Sequence, residues 1–224
     1  MNTEELEAQV KSLSNRLETI EDTLEIENLQ RIYGYYMDYS MWGQFVDLFS
    51  DNTESIEVGD RGVFLGKDGV EKVCETMAAD RAPENTGSWG EVQGMVIPRK
   101  FFHMIIIEQP VIDVDFEGKT AYGRWAALEC AARPTGGTWI QYWGRGIYGN
   151  EYIKEDNRWR FRKFHWYPTL LPLYENGWLK TPTMIYSSAH RTLTPDRPST
   201  FDHRYPDPEW CTVPFHYKHP LTGK

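Results

Sequence analysis

The first pattern along the chain is a repeat of apolar positions. Leu6, Val10, Leu13, Leu17, Ile20 and Leu24 follow one another at spacings of 4, 3, 4, 3 and 4, with charged and polar residues between them. That is an a/d heptad spacing, and it predicts an amphipathic helix whose apolar stripe needs a partner, with a neighbouring subunit expected rather than the chain's own domain. A second helix is predicted over about 23–39, where Ile26, Leu29, Tyr33, Tyr36 and Met37 share one stripe. "DLFSDNT" at 47–53 reads as a short helix ending in a turn, and "ESIEVGDRGVFLG" as a hairpin bending near Gly59 and Gly62. Val70, Val73, Cys74 and Met77, at i, i+3, i+4 and i+7, predict another helix. Gly, Pro and Asn then punctuate 82–98, a long connection of the kind that covers binding sites.

Strand patterns dominate the rest. "FFHMIIIEQPVIDVDF", "TAYGRWAALECAA", "TWIQYWGRGIYGNEYIKED" and "WRFRKFHWYP" are long, adjacent and joined by the turns "EGK" and "DNR". Helices followed by a meander of strands predict an α+β fold with a curved antiparallel sheet. From Pro168 the chain is rich in proline but too aromatic to read as plainly disordered, so an extended arm over the body is expected. The division expected is an N-terminal helix at 1–24, one domain at 25–167 and the arm at 168–224.

Composition narrows the function. A formal charge of −9 over 224 residues argues against nucleic acid, which needs a concentrated basic surface. The densest basic run, "RWRFRKFH", alternates with aromatics and reads as one strand with a charged face. There is no apolar run of membrane-spanning length, and the acidic N-terminus is unlike a signal peptide. Cys74, Cys130 and Cys211 are few, odd in number and far apart, so neither a disulfide framework nor a zinc site is expected, and a cytoplasmic setting fits. The chain carries 9 Trp, 13 Tyr and 10 Phe. Such a load serves either a large core or an aromatic-lined pocket.

One carboxylate stands out. In "RIYGYYMDYSMWGQF" Asp38 is surrounded by aromatic and apolar residues. At 100° per residue it falls on the side away from the main stripe, with Gly34, Tyr35, Met41 and Trp42, so the helix end is apolar on both sides. An acid there either reaches water or holds a hydrogen-bonding partner. Periodicity leaves both open.

"IYGYYMDYSMWGQFVDLFSDN" resembles the opening of the SnoaL-like branch of the nuclear transport factor 2-like superfamily, with Tyr33, Asp38, Trp42, Leu48, Phe49 and Asp51 in register. "GNEYIKEDNRWRFRKF" is similar to the family's last hairpin, with Trp159 at its usual tryptophan. The resemblance covers about residues 25–167 and implies a cone-shaped α+β barrel, its curved antiparallel sheet closed by helices around a pocket. Within the superfamily, Asp38 and His103 fall where scytalone dehydratases have an active-site Asp and a catalytic His. Glu57 falls where ketosteroid isomerases carry their carboxylate base. Met37, Arg124 and Tyr148 depart from the dehydratase pattern, which makes scytalone an unexpected substrate. The aromatic load, the arms and the ending "WCTVPFHYKHPLTGK" look most like the γ-formaldehyde lyases of bacterial lignin-dimer catabolism. That resemblance implies loss of a benzylic hydroxyl through a quinone methide and release of formaldehyde to leave a stilbene. It also implies a homo-oligomer, a trimer in the dehydratase comparison. The alternatives are a dehydratase, an isomerase of steroid-like substrates, or a non-catalytic small subunit or binding module.

Such chemistry requires acid–base groups and no cofactor. No Gly-rich phosphate loop, HExxH, paired CxxC or G-x-S-x-G elbow occurs, and His216 and His219 in the lysine-bearing tail read as surface loop. The catalytic candidates are Asp38, Glu57, His103 and Arg124, with no metal ligands expected. His103 shares a strand face with Phe101, Ile105 and Ile107, so it projects into apolar company either as a satisfied core histidine or as a proton-transfer group. Arg124 is placed to hold a phenolate or to pair with an acid. Tyr33, Trp42, Arg99, Trp125, Tyr142, Tyr148, Phe164 and Trp166 are the candidates for binding a small aromatic substrate.

Overall fold

The computed structural model describes residues 2–80, 102–115, 117–180, 193–201 and 212–224. The two expected N-terminal helices are one: α1 runs Thr3–Asp38 without interruption, because no Gly or Pro separates the two stripes. Asn2 caps it in a reciprocal box with Glu5. A short α2 (Trp42–Asp47) follows, then β1 (Ser55–Val58), a 3₁₀ turn (Gly59–Arg61), β2 (Val63–Leu65) and α3 (Gly66–Asp80). The long strands are β3 (Phe102–Val114), β4 (Thr120–Thr135), β5 (Thr138–Glu155) and β6 (Arg158–Leu170), followed by a short α4 (Gly177–Lys180). Asp156 and Asn157 both take positive φ and turn β5 into β6 in two residues, a conformation these side chains tolerate. The expected 82–98 connection and Arg99 lie outside the described residues.

The sheet order is β2-β1-β6-β5-β4-β3. This corrects the expected cone-shaped barrel. The sheet is open, with β2 and β3 as its two edges, and it is mixed, because β1 runs parallel to β6 while the other pairs are antiparallel. Six strands, two of them only three and four residues long, do not return on themselves. The core is instead a layer between the helices and one face of the sheet, the two-layer solution for an apolar sheet face.

Two devices set α1 on that layer. Gly34 sits against Ile105 and Ile107 of β3, where a Cβ would meet Ile107 Cδ1 at 3.2 Å, so the missing side chain sets how close the helix lies. Further back, Asp22 is buried and accepts from Lys154 Nζ (2.7 Å) and Trp159 Nε1 (2.8 Å), pinning the helix to the β5–β6 hairpin. Between them, the Gln30 side-chain oxygen accepts from Asn150 and from Tyr152, whose own oxygen accepts from Trp125 Nε1, while Gln30 Nε2 finds no partner among the described residues. Burial pushes the Tyr152 phenol well up from its usual range, against the hydrogen bonds of Asn150 and Trp125, which lower it. Among the described residues no helix is long and apolar enough to cross a membrane.

Candidate active site

Asp38 ends α1 and points at the edge of the sheet. Because β3 is an edge strand, alternate N–H groups on its outer side lack a ladder partner. Asp38 Oδ1 takes one of them, Ile105 N–H, at 2.9 Å. The same oxygen stands 3.3 Å from His103 Nδ1, within ion-pair range. On its other side, His103 Nε2 lies 3.2 Å from Glu129 Oε2 on β4. The imidazole is therefore flanked by two carboxylates, with only 4% of its side chain exposed.

The register explains the cluster. His103 pairs with Ala131 and Ile105 with Glu129, so His103, Glu129 and Ala131 rise from one face of neighbouring strands. Glu129 in turn pairs with Gly144 of β5, and the glycine supplies its space. A Cβ at 144 would stand 2.5 Å from Glu129 Cδ and closer still to Cγ and Oε1. Two residues on, Gly146 makes the same room for the Trp166 ring, whose Cη2 would lie 2.6 Å from a Cβ there.

A neutral imidazole carries one N–H and can donate to only one of the two carboxylates. Nε2 is placed to donate that N–H to Glu129, while Nδ1 lies at ion-pair range from Asp38 and not in a hydrogen bond to it. His103 and Glu129 line a small cavity of about 60 Å³, whose walls include Tyr33, Tyr148, Phe164 and Trp166. Tyr33 and Tyr148 share a hydrogen bond of 2.7 Å at its aromatic wall, and the Tyr148 and Trp166 rings lie 4.3 Å apart. Arg61, from the 3₁₀ turn, is the cation of this wall among the described residues.

Of the sequence candidates, the fold brings together Asp38, His103, Tyr33, Tyr148, Phe164 and Trp166. Trp42 and Trp125 are core residues, the second tied into the Gln30–Tyr152 chain. Tyr142 shares the His103 face through Ala131 but stands outside the cavity wall. Glu57 and Arg124 lie on the opposite side of the sheet. Strand parity decides this: Glu57 pairs with His165, one residue out of phase with Phe164 and Trp166, and Arg124 precedes the inward Trp125. There they line a larger cavity of about 430 Å³ with Tyr167 and the C-terminal segment. Glu57 accepts from Ser199 Oγ (2.6 Å), Thr200 N (2.8 Å) and Thr200 Oγ1 (2.6 Å). Arg124 donates to the Pro214 carbonyl at 2.6 Å and lies over the Phe215 ring. Burial, reinforced by the Glu57 charge, pushes the Tyr167 phenol up to about 12. His216 faces Asp113 and stacks on Tyr122, and His219 Nδ1 accepts from the backbone of Leu221 and Thr222.

Sequence reasoning missed Glu129 and Arg61. Glu129 had a signal, since it shares the parity of Trp125, Ala127 and Ala131, an apolar face on which an acid is out of place. Arg61, in a turn, had none.

The model of the SnoaL-like domain matches residues 18–165. The chain belongs to the SnoaL-like family. No curated protein matches its sequence. Among solved structures, this SnoaL-like chain is similar to a protein from Novosphingobium aromaticivorans provisionally named scytalone dehydratase, at 17% identity and a TM-score of 0.55, over 70% of this chain and 90% of that one. It is similar as well to a type 2 hexachlorocyclohexane dehydrochlorinase, LinA, at 13% identity and a TM-score of 0.56, over 77% and 98%. The LinA-type3 enzyme of Novosphingobium barchaimii matches at 16% and 0.54, over 70% and 93%. At these identities the likeness is one of fold.

Proposed function

We propose that this chain is a cofactor-independent lyase that eliminates a hydroxyl from an aromatic substrate by acid–base chemistry at Asp38, His103 and Glu129. One observation carries the reading: an imidazole held between two carboxylates at an aromatic cavity. Asp38 stands 3.3 Å from Nδ1, where its charge favours the protonated ring. His103 Nε2 and Glu129 face the cavity, and the proton between them passes to the departing hydroxyl, which leaves as water. A positioned transfer of this kind contributes about 10²–10⁴-fold. Arg61 lines the same cavity, where its charge favours the phenolate whose electron pair expels the hydroxyl. The names of the structural relatives, a dehydratase and dehydrochlorinases, belong to the same reaction class.

Within this reading the substrate is a lignin-type diaryl diol with a free para-phenol. Loss of water gives a quinone methide. The cluster then takes the proton of the CH₂OH group, its C–C bond breaks to release formaldehyde, and the electron pair restores the phenolate and leaves a stilbene. Diol thus becomes stilbene, water and formaldehyde with no oxidant. At about 60 Å³ the cavity takes the reacting carbinol, well below the roughly 300 Å³ of a site for a whole drug-sized ligand, so two aryl rings require it to widen.

The test is incubation of purified protein, without added cofactor, with the phenolic diol and with its para-methyl ether, assaying formaldehyde and stilbene. The expected result is equal yields of both from the phenol and neither from the ether, which cannot form the quinone methide. Water loss without formaldehyde would retain the elimination and remove the deformylation. No turnover of any benzylic alcohol in a substrate panel would overturn the reading.

A further inference from the structure

The first part of α1 projects from the body, touching it among the described residues only through the Glu18–Lys154 ion pair before Asp22. Every residue from 2 to 21 is exposed, and Asp22 is the first buried residue of the helix. A bare helix of this length is marginal in water, so a projecting one needs a partner to persist. Its seam is formed by Leu6, Leu13 and Ile20 at d and by Val10, Leu17 and Leu24 at a, each 48–60% exposed. Asp22, where Lys154 and Trp159 grip the helix, is an f position on the far side, so the seam faces away from the protomer's own body. The next d and a sites are Glu27 and Arg31, which pair with each other, so the apolar seam ends where the body begins.

We infer that residues 3–24 form a parallel coiled coil with the same segment of another copy of this chain. The flanking charges select both the partner and the direction. In parallel register each g residue faces the e residue five positions on in its neighbour. Gln9 then faces Ser14, and Arg16 faces Glu21, an opposite-charge pair made twice in a twofold assembly. In the antiparallel alternative that keeps the apolar positions opposed, e faces e and g faces g. Glu7 then meets Glu21, and Arg16 meets Arg16. The same six apolar residues fit either way; only the parallel arrangement has charges that agree with it.

Three variants of the full chain test this. Leu6→Cys, mildly oxidised, is expected to run at twice the monomer mass on a non-reducing denaturing gel, with wild type as the control for the native cysteines. In an antiparallel pair the two residues would lie about 27 Å apart, beyond any disulfide. Arg16→Glu is expected to raise the dissociation constant about tenfold in sedimentation experiments, and Arg16→Glu with Glu21→Arg to restore it. A 26.2 kDa monomer at tens of micromolar, failure of Leu6→Cys to cross-link, or failure of the charge swap to restore assembly would each overturn the inference.

Discussion

Replacing Gly144 by alanine isolates what Glu129 does without altering any titrating group. The new methyl would stand 2.5 Å from Glu129 Cδ and closer to two further atoms, against a carbon–carbon contact distance of about 3.5–4.0 Å. The glutamate must therefore move by at least ~1 Å. Its contact with His103 Nε2 is already 3.2 Å, so that displacement takes it out of hydrogen-bonding reach. The stability terms nearly cancel: alanine in place of glycine in a strand gains about 0.5–1 kcal/mol, and a strained Glu129 rotamer costs about 0.5–1.5 kcal/mol. For a chain of 224 residues that leaves Tm within roughly 4 °C of wild type. Turnover, in contrast, is expected to fall by about 10²-fold or more in kcat, read from formaldehyde or alkene release under saturation. Gly146→Ala is the control for stability. There the methyl meets the Tyr167 carbonyl and the Trp166 ring, neither a flexible chain end, and about 1–3 kcal/mol should be lost. Wild-type kcat in Gly144→Ala with an unchanged Tm would refute proton transfer through Glu129.

Asp38→Asn and His103→Gln should each lower kcat by at least ~10², with the double variant little worse, because the two groups act in one step; additive losses would separate their roles. Glu57→Gln should leave kcat within a few-fold but lower stability by about 2 kcal/mol, since it replaces a buried acceptor of three hydrogen bonds from Ser199 and Thr200; a large kcat loss at unchanged Tm would return Glu57 to the chemistry. Asp22→Ala should cost about 3 kcal/mol by leaving Lys154 and Trp159 without their acceptor, measured by urea denaturation. The hydrogen bond to Asp22 raises the Lys154 ammonium above its usual 10.5. Its contribution is therefore fully present below that pH and is lost as pH rises through the raised value, so the stability gap between wild type and Asp22→Ala should narrow at alkaline pH to the share carried by Trp159. A gap unchanged at high alkalinity would count against the Lys154 link.

The chain alone determined the parts that depend on local spacing. The heptad stripe, the α3 periodicity and the four hairpin-linked strands are legible because each element's period repeats within its own length. The Asp38 and His103 pair was reachable because a family motif supplied a direction that periodicity withheld, and the geometry adds that Asp38 also occupies an orphan N–H of an edge strand. What only tertiary structure decided is which side of the sheet each residue faces and where the sheet stops. A one-residue difference in phase sends Glu57 and Arg124 away from His103, and strand parity across β1, β6 and β4 is set by pairing partners distant in the chain. The barrel expectation failed for the same reason: closure depends on whether edge strands are long enough to meet, and β2 has three residues. Glu129 became part of the site through a third strand, because the side chain Gly144 lacks is the volume that Glu129 fills. No local pattern encodes that complementarity, since it exists only once β4 and β5 lie side by side.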